Sequence, residues 1–243
     1  MAENMRKTIG VIAGMGPLTT VDFLSRLIAA TPGSKDQDHI RVLIDHNPTI
    51  PNRQESIAGT GPDVTADLKA MAQGLETAGA DFLVMSCNTA HAYQRPIQEA
   101  VNIPFISIID TAVEYLHEHH AGQVVGVVAT EGCLRANLYQ QGLANVGLEA
   151  LVPGDRQLAK LMDAIFEIKA GDTGREITSI VESVVNDLIF SGAEVILSAC
   201  TELPLVLDEN SVSVPLVDPT HLLVSRCAEL ASGQRPLPIT RQI

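Results

Sequence analysis

The sequence has 243 residues, 46% apolar and 19% charged, enough to bury a core in one large α/β domain or in two of roughly 100 to 120 residues, with no room for a long disordered tract. A formal net charge of −13 without a basic stripe excludes nucleic acid as a partner, because phosphate-backbone binding depends on Lys and Arg displacing counterions. No apolar run reaches the roughly 18 residues of a membrane crossing, and Met1 to Lys7 run straight into a strand-like segment without the apolar stretch of a secretory leader, so a cytoplasmic protein with no membrane partner is expected.

Along the chain, short β-branched runs alternate with longer amphipathic stretches, the pattern of a parallel sheet covered by helices. Strands are predicted at Thr8–Ala13, Ile40–Asp45, Phe82–Ser86, Phe105–Ile109, Val124–Ala129, Val195–Ala199 and Val214–Val217. Helices are predicted at Thr19–Ala30, Val64–Ala78, Thr111–His120, Arg135–Asn145, Arg156–Ala170, Ile177–Ser191 and Pro219–Ala231. The fold class is therefore α/β.

The two halves of the chain also match each other. Ile9-Gly10-Val11-Ile12-Ala13-Gly14-Met15-Gly16 aligns with Val125-Gly126-Val127-Val128-Ala129-Thr130-Glu131-Gly132, a displacement of 116 positions. Gly79-Ala80-Asp81-Phe82-Leu83-Val84-Met85-Ser86-Cys87 aligns with Gly192-Ala193-Glu194-Val195-Ile196-Leu197-Ser198-Ala199-Cys200, a displacement of 113, and Ile103-Pro104-Phe105-Ile106 echoes Val214-Pro215-Leu216-Val217. Three matched segments in order predict two similar parallel-sheet domains, related by a pseudo-twofold axis with the active site in the cleft between them. The domains are drawn as residues 1–103 with 213–243, and 104–212.

Each copy ends its third main strand in a cysteine, where parallel α/β sheets bind ligands. Asn88-Thr89 and Thr201-Glu202 follow, helix-starting residues whose side chains cap N–H groups and whose helix field would favour thiolate. One thiolate is a base and one thiol an acid, the pair needed to exchange a proton from opposite faces of a planar intermediate. The four cysteines include no Cys-x-x-Cys pair, so neither a zinc site nor a dithiol redox centre is expected.

Ala13-Gly14-Met15-Gly16-Pro17, Ser86-Cys87-Asn88-Thr89-Ala90-His91 and Ala199-Cys200-Thr201-Glu202-Leu203 resemble the motifs of the aspartate/glutamate racemase family, and the resemblance covers nearly the whole chain. It implies Cys87 and Cys200 as catalytic residues interconverting the L and D forms of aspartate or glutamate, with no cofactor and no metal. It further implies two α/β halves that exchange their last strands, and a homodimer. Arg53, after an Ile-Pro turn, resembles the family's carboxylate-binding arginine, and Lys169 its lysine near the end of a helix. Asn88, Thr89, Thr130 and Thr201 resemble residues that hold the α-carboxylate and amine, and Met15, Gly16 and Glu202 complete the substrate-binding set. The substrate implied is a small acidic amino acid. A maleate-isomerase-like or hydantoin-racemase-like enzyme of the same superfamily is the alternative. Three positions depart from the family pattern: Ala13 for Gly, Asn52 for Asp before the arginine, and Cys133 for Thr after Gly132.

Other motifs read as structural. Gly14-Met15-Gly16-Pro17 lacks the third glycine of a dinucleotide turn, and anion binding by its N–H groups explains it. His117, His119 and His120 close a predicted helix, where cationic side chains favourably meet the helix C-terminus. His91 is read as setting the environment of the Cys87 thiol, and Cys133 as packing at a helix start.

Overall fold

A computed structural model describes residues 6–238, so a leader reading that rests on Met1 to Met5 lies outside the described residues. In chain order the elements are β1 (Ile9–Ala13), α1 (Pro17–Ala30), β2 (Val42–His46), α2 (Arg53–Ala58), α3 (Thr65–Thr77), β3 (Phe82–Met85), α4 (Gln94–Glu99), β4 (Phe105–Ile106) and α5 (Ile108–His119). They continue as β5 (Val124–Ala129), α6 (Glu131–Arg135), α7 (Leu138–Asn145), β6 (Glu149–Leu151), α8 (Asp155–Ala170), α9 (Arg175–Phe190), β7 (Val195–Ala199), β8 (Leu216–Val217) and α10 (Pro219–Ser232). Short 3-10 turns at Asp36–Asp38, Thr89–Tyr93 and Leu203–Leu205 complete the list.

The strands form two four-stranded parallel sheets with one topology, β2-β1-β3-β4 and β6-β5-β7-β8. Parallel sheets covered by helices on both faces need apolar residues on both sides of the strand, and every residue of β1, β3 and β7 is buried. The covering helices bury one face each. In α9 that face is Ile177, Val181, Val184, Val185 and Leu188, a spacing of three and four that follows the helical repeat.

The internal repeat survives at the level of single atoms. A Cβ on Gly10 would sit 2.6 Å from Leu83 and 2.9 Å from Ala80; on Gly126 it would sit 2.6 Å from Ile196 and 2.9 Å from Ala193. These contact pairs are the aligned residues of the two halves, so both glycines are required by the same close approach of a central strand to its covering layer.

Contacts divide the chain into two units, Met1–Ile108 with Thr220–Ile243, and Ile109–Pro219. The breaks therefore fall after Ile108 and Pro219 rather than at the 103/104 and 212/213 positions drawn from the sequence. The implied exchange of last strands is not found. β4 pairs with β3 in its own sheet (Leu83 with Phe105, Val84 with Ile106), and β8 pairs with β7 (Ile196 with Leu216, Leu197 with Val217). The reason is local: Leu83 N–H donates to Pro104 O at 2.8 Å and Ile196 N–H to Pro215 O at 2.9 Å, so each last strand is captured by its immediate predecessor in the sheet. What changes unit is the helix that follows. α5 packs in the second unit, where Val113 lies 2.9 Å from the position of a Cβ on Gly142, and α10 joins the first, where Lys7 N–H donates to Ala231 O at 2.9 Å.

The helix predicted over Arg135–Asn145 begins only at Leu138, as α7, and a separate α6 precedes it. Asn137 takes a left-handed conformation (φ 52°) between α6 and α7, and asparagine tolerates that region better than most residues. Ile108 and Ile109, predicted as strand, instead open α5.

Candidate active site

In the first unit the predicted residues collect at the carboxyl ends of β1, β2 and β3. The chain leaves β1 through Gly14, whose φ of 94° and contact with the Asn47 backbone, 2.5 Å from the position of a Cβ, admit only glycine. Gly14 N–H donates to Thr20 Oγ1 (3.0 Å), while the Thr19 hydroxyl donates to Gly16 O (2.9 Å). His46 Nδ1 lies 3.2 Å from the same Thr20 oxygen, so the glycine turn is braced by α1 and by the end of β2. Met15 is fully buried and joins a core cluster with Ile50 and Cys87, which leaves its backbone as the part able to meet a ligand.

Arg53 opens α2. Both hydrogens of its Nη1 are used, on Ile50 O (3.1 Å) and Pro51 O (2.9 Å), and among the described residues no carboxylate meets it. The Nε and Nη2 edge that remains is the one that grips a carboxylate with two parallel hydrogen bonds. Asn52 caps α2 by accepting from Gln54 N–H at 2.9 Å, so the residue that replaces the family's Asp serves the helix.

Cys87 follows β3 and is buried, as are Asn88 and Thr89. His91 sits beneath it. Its Nδ1 lies 2.8 Å from Cys87 O, which only accepts, and its Nε2 accepts from Ile108 N–H at 3.2 Å. Those two partners fix the neutral ring with the proton on Nδ1 and pin the cysteine backbone to the start of α5. Phe105 packs against the ring at 5.5 Å.

In the second unit Thr130 follows β5 and accepts from Cys133 N–H at 3.3 Å, capping α6. Cys133 itself is fully buried. Cys200 follows β7, and its S–H donates to Glu202 Oε2 at 3.0 Å; the Thr201 hydroxyl reaches the same oxygen at 3.3 Å. The other carboxylate oxygen forms a short ion pair with Lys169, near the end of α8. Lys169, Cys200, Thr201 and Glu202 are thus one connected cluster, with Glu202 at its centre. Burial first, and then the Glu202 charge, pushes the Cys200 thiol well above its ordinary range, with Lys169 opposing.

The expectation that helix N-termini follow both cysteines is corrected. After Cys87 a 3-10 turn comes first and α4 begins only at Gln94, after Cys200 there is a single 3-10 turn of three residues, and neither Asn88 nor Glu202 caps its turn with a side chain. The field at Cys200 is set by a carboxylate, and it favours thiol. Several further residues escaped the sequence reading: His46 with Thr20, Ser56 with Tyr93, and Tyr139. Tyr139 is fully buried, and its hydroxyl is pushed well above its ordinary value by burial and then by Cys133, Asp218, Asp110 and Cys200. Contacts 26 and 37 residues apart between unremarkable residue types leave no sequence signal. Cys227, fully buried on α10 with its thiol pushed upward by burial, is a packing residue. Among the described residues no cluster of three His, Cys, Asp or Glu could hold a metal, and no helix is long and apolar enough to cross a membrane.

Residues 12–227 match the Asp/Glu/Hydantoin racemase family, and the chain belongs to it; by class it is an amino-acid racemase. It is 30% identical over 222 residues to the broad specificity amino-acid racemase RacX of Bacillus subtilis, covering 88% of this chain and 94% of that one. Among solved structures it resembles an aspartate racemase from Picrophilus torridus (26% identity, TM-score 0.84, 96% of each chain). A glutamate racemase from Francisella tularensis shares the fold at 19% identity and TM-score 0.68, over 98% of this chain and 85% of that one.

Proposed function

We propose that the chain interconverts L and D forms of aspartate or glutamate without a cofactor, using Cys87 and Cys200 as the acid/base pair. What carries the reading is the matched position of the thiols: in each unit a buried cysteine follows within two residues of the end of the third strand of its sheet. One thiolate removes the α-proton, and the other thiol delivers a proton to the opposite face of the carbanion, so one proton leaves, one arrives, and the thiols exchange roles. The S–H bond from Cys200 to Glu202 suits Cys200 to the part of the acid. The open edge of Arg53 receives a carboxylate.

The test is a chiral assay without added cofactor, run in D2O with L-aspartate and with L-glutamate. Racemisation with α-deuterium incorporation is expected, and it should survive chelation and removal of pyridoxal phosphate. In Cys200→Ala or Cys87→Ala, exchange at one enantiomer should outlive inversion. A single variant that racemises at the parental rate would refute the two-thiol assignment, and isomerisation of maleate without α-exchange would favour the alternative enzyme class.

One observation favours a wider substrate range. Of the two cations assigned to the substrate, Lys169 is engaged by Glu202. With one cation open to a carboxylate rather than two, discrimination for a dicarboxylate is reduced, in keeping with the likeness to a broad specificity relative.

A further inference from the structure

α2 carries Arg53 but has no core of its own: none of its six residues is buried. Its entry is anchored by Ile50 in the core cluster, and its end by Gly59 in a left-handed turn. Between them, a side-chain bond ties the body of the helix to the segment that follows Cys87. The Tyr93 hydroxyl donates to Ser56 Oγ at 2.6 Å. The Tyr93 ring is packed against the cluster that contains Cys87 and Met15, and Tyr93 closes the 3-10 turn that begins two residues after Cys87. The phenol therefore reaches from the cysteine segment to the arginine helix.

We propose that Tyr93 and Ser56 are positioning residues that hold Arg53 in register with the Cys87 segment, so that the carboxylate fork is formed before the substrate arrives. The inference rests on the racemase reading for its kinetic consequence and on Arg53 as the carboxylate receptor for its binding consequence. Without the bond, α2 samples positions in which the fork is misplaced, and apparent affinity falls by the fraction of chains still competent. A neutral hydrogen bond biases such an equilibrium about three- to tenfold. Arg53 grips the carboxylate equally in ground and transition states, so the loss falls on KM and spares kcat.

The experiment compares parent, Tyr93→Phe, Ser56→Ala, the double variant and Arg53→Ala in the full chain. Three readouts are taken: KM and kcat for racemisation, calorimetric binding of malonate, and hydrogen exchange of residues 53–58. Tyr93→Phe should raise KM and the malonate Kd about three- to tenfold with kcat unchanged and faster exchange confined to 53–58. Ser56→Ala should match it, the double variant should be no worse than either, and Ser56→Thr, which keeps the hydroxyl, should restore parental values. Unchanged KM and malonate Kd in Tyr93→Phe, or a fall in kcat with KM unchanged, overturns the proposal. So do additive effects in the double variant. Failure of the underlying reading looks different: malonate binding that survives Arg53→Ala removes the receptor and the proposal with it, whereas a parent that racemises nothing but binds malonate through Arg53 refutes the activity and leaves the Tyr93→Phe binding result to decide.

Discussion

Replacing Gly126 by Ala tests the packing that the internal repeat imposes. The new methyl would meet Ile196 Cδ1 at 2.6 Å and Ala193 Cβ at 2.9 Å, with Leu188 Cβ at 3.5 Å, whereas unbonded carbons settle at about 3.5–4.0 Å. Ile196 Cδ1 ends a flexible side chain and can swing away. Ala193 Cβ is fixed to the backbone of the turn that enters β7, so part of the overlap must be relieved by moving a strand. Overpacking of this kind costs about 1–3 kcal/mol. In a chain of this size that is a loss of about 2–12 °C in Tm. Denaturant and thermal unfolding of Gly126→Ala measure it. Ile196→Val removes the nearest atom and costs about 0.5–1.5 kcal/mol alone. If the clash is real, the double variant loses less than the sum of the singles by about 1 kcal/mol. The aligned Gly10→Ala, against Leu83 and Ala80, should behave alike. A Gly126→Ala protein within about 0.5 kcal/mol of the parent, or strict additivity in the double variant, would refute the reasoning.

Arg53→Ala should lower kcat/KM about ten- to a hundredfold, chiefly through KM, since a charge-assisted hydrogen bond is worth about 1.5–3 kcal/mol. Arg53→Lys should recover only part, because an ammonium keeps the charge and loses the fork; parental steady-state constants in either variant would return Arg53 to the solvated surface. Glu202→Gln removes the carboxylate that, after burial, most raises the Cys200 thiol, so iodoacetamide labelling of Cys200 followed by mass spectrometry should begin at lower pH than in the parent. Lys169→Met removes the opposing cation and should delay labelling to higher pH, and coincident profiles would show that this cluster does not govern the thiol.

The parts of the fold legible in the sequence are those where one periodicity acts alone. β5 and β7 are continuous buried runs, and their predicted bounds coincide with the observed ones. β6 was missed because Glu149-Ala150-Leu151 is three residues long and holds no β-branched side chain; its pairing with β5 makes it a strand. α2 was missed because it buries nothing and so leaves no apolar stripe. At the site, the repeat located both thiols, since like segments end alike. It said nothing of their unlike surroundings. The ion pair of Lys169 with Glu202 spans 33 positions, and the bond from His91 to Ile108 depends on where β4 stops, so neither follows from residue types.

The discontinuity of the first unit bears on the order in which the molecule is built. Residues 109–219 are an uninterrupted insertion, so every piece of the second unit is translated before α10. The first unit emerges earlier, yet its sheet waits for Leu223, Val224, Cys227 and Leu230, all buried in the finished protein. Until then, surface destined for burial stands open to the chaperones that attend nascent chains. The half translated first is completed last, and a stop codon just before α10 would damage the amino-terminal half of the molecule while leaving the segment nearest to it in sequence intact.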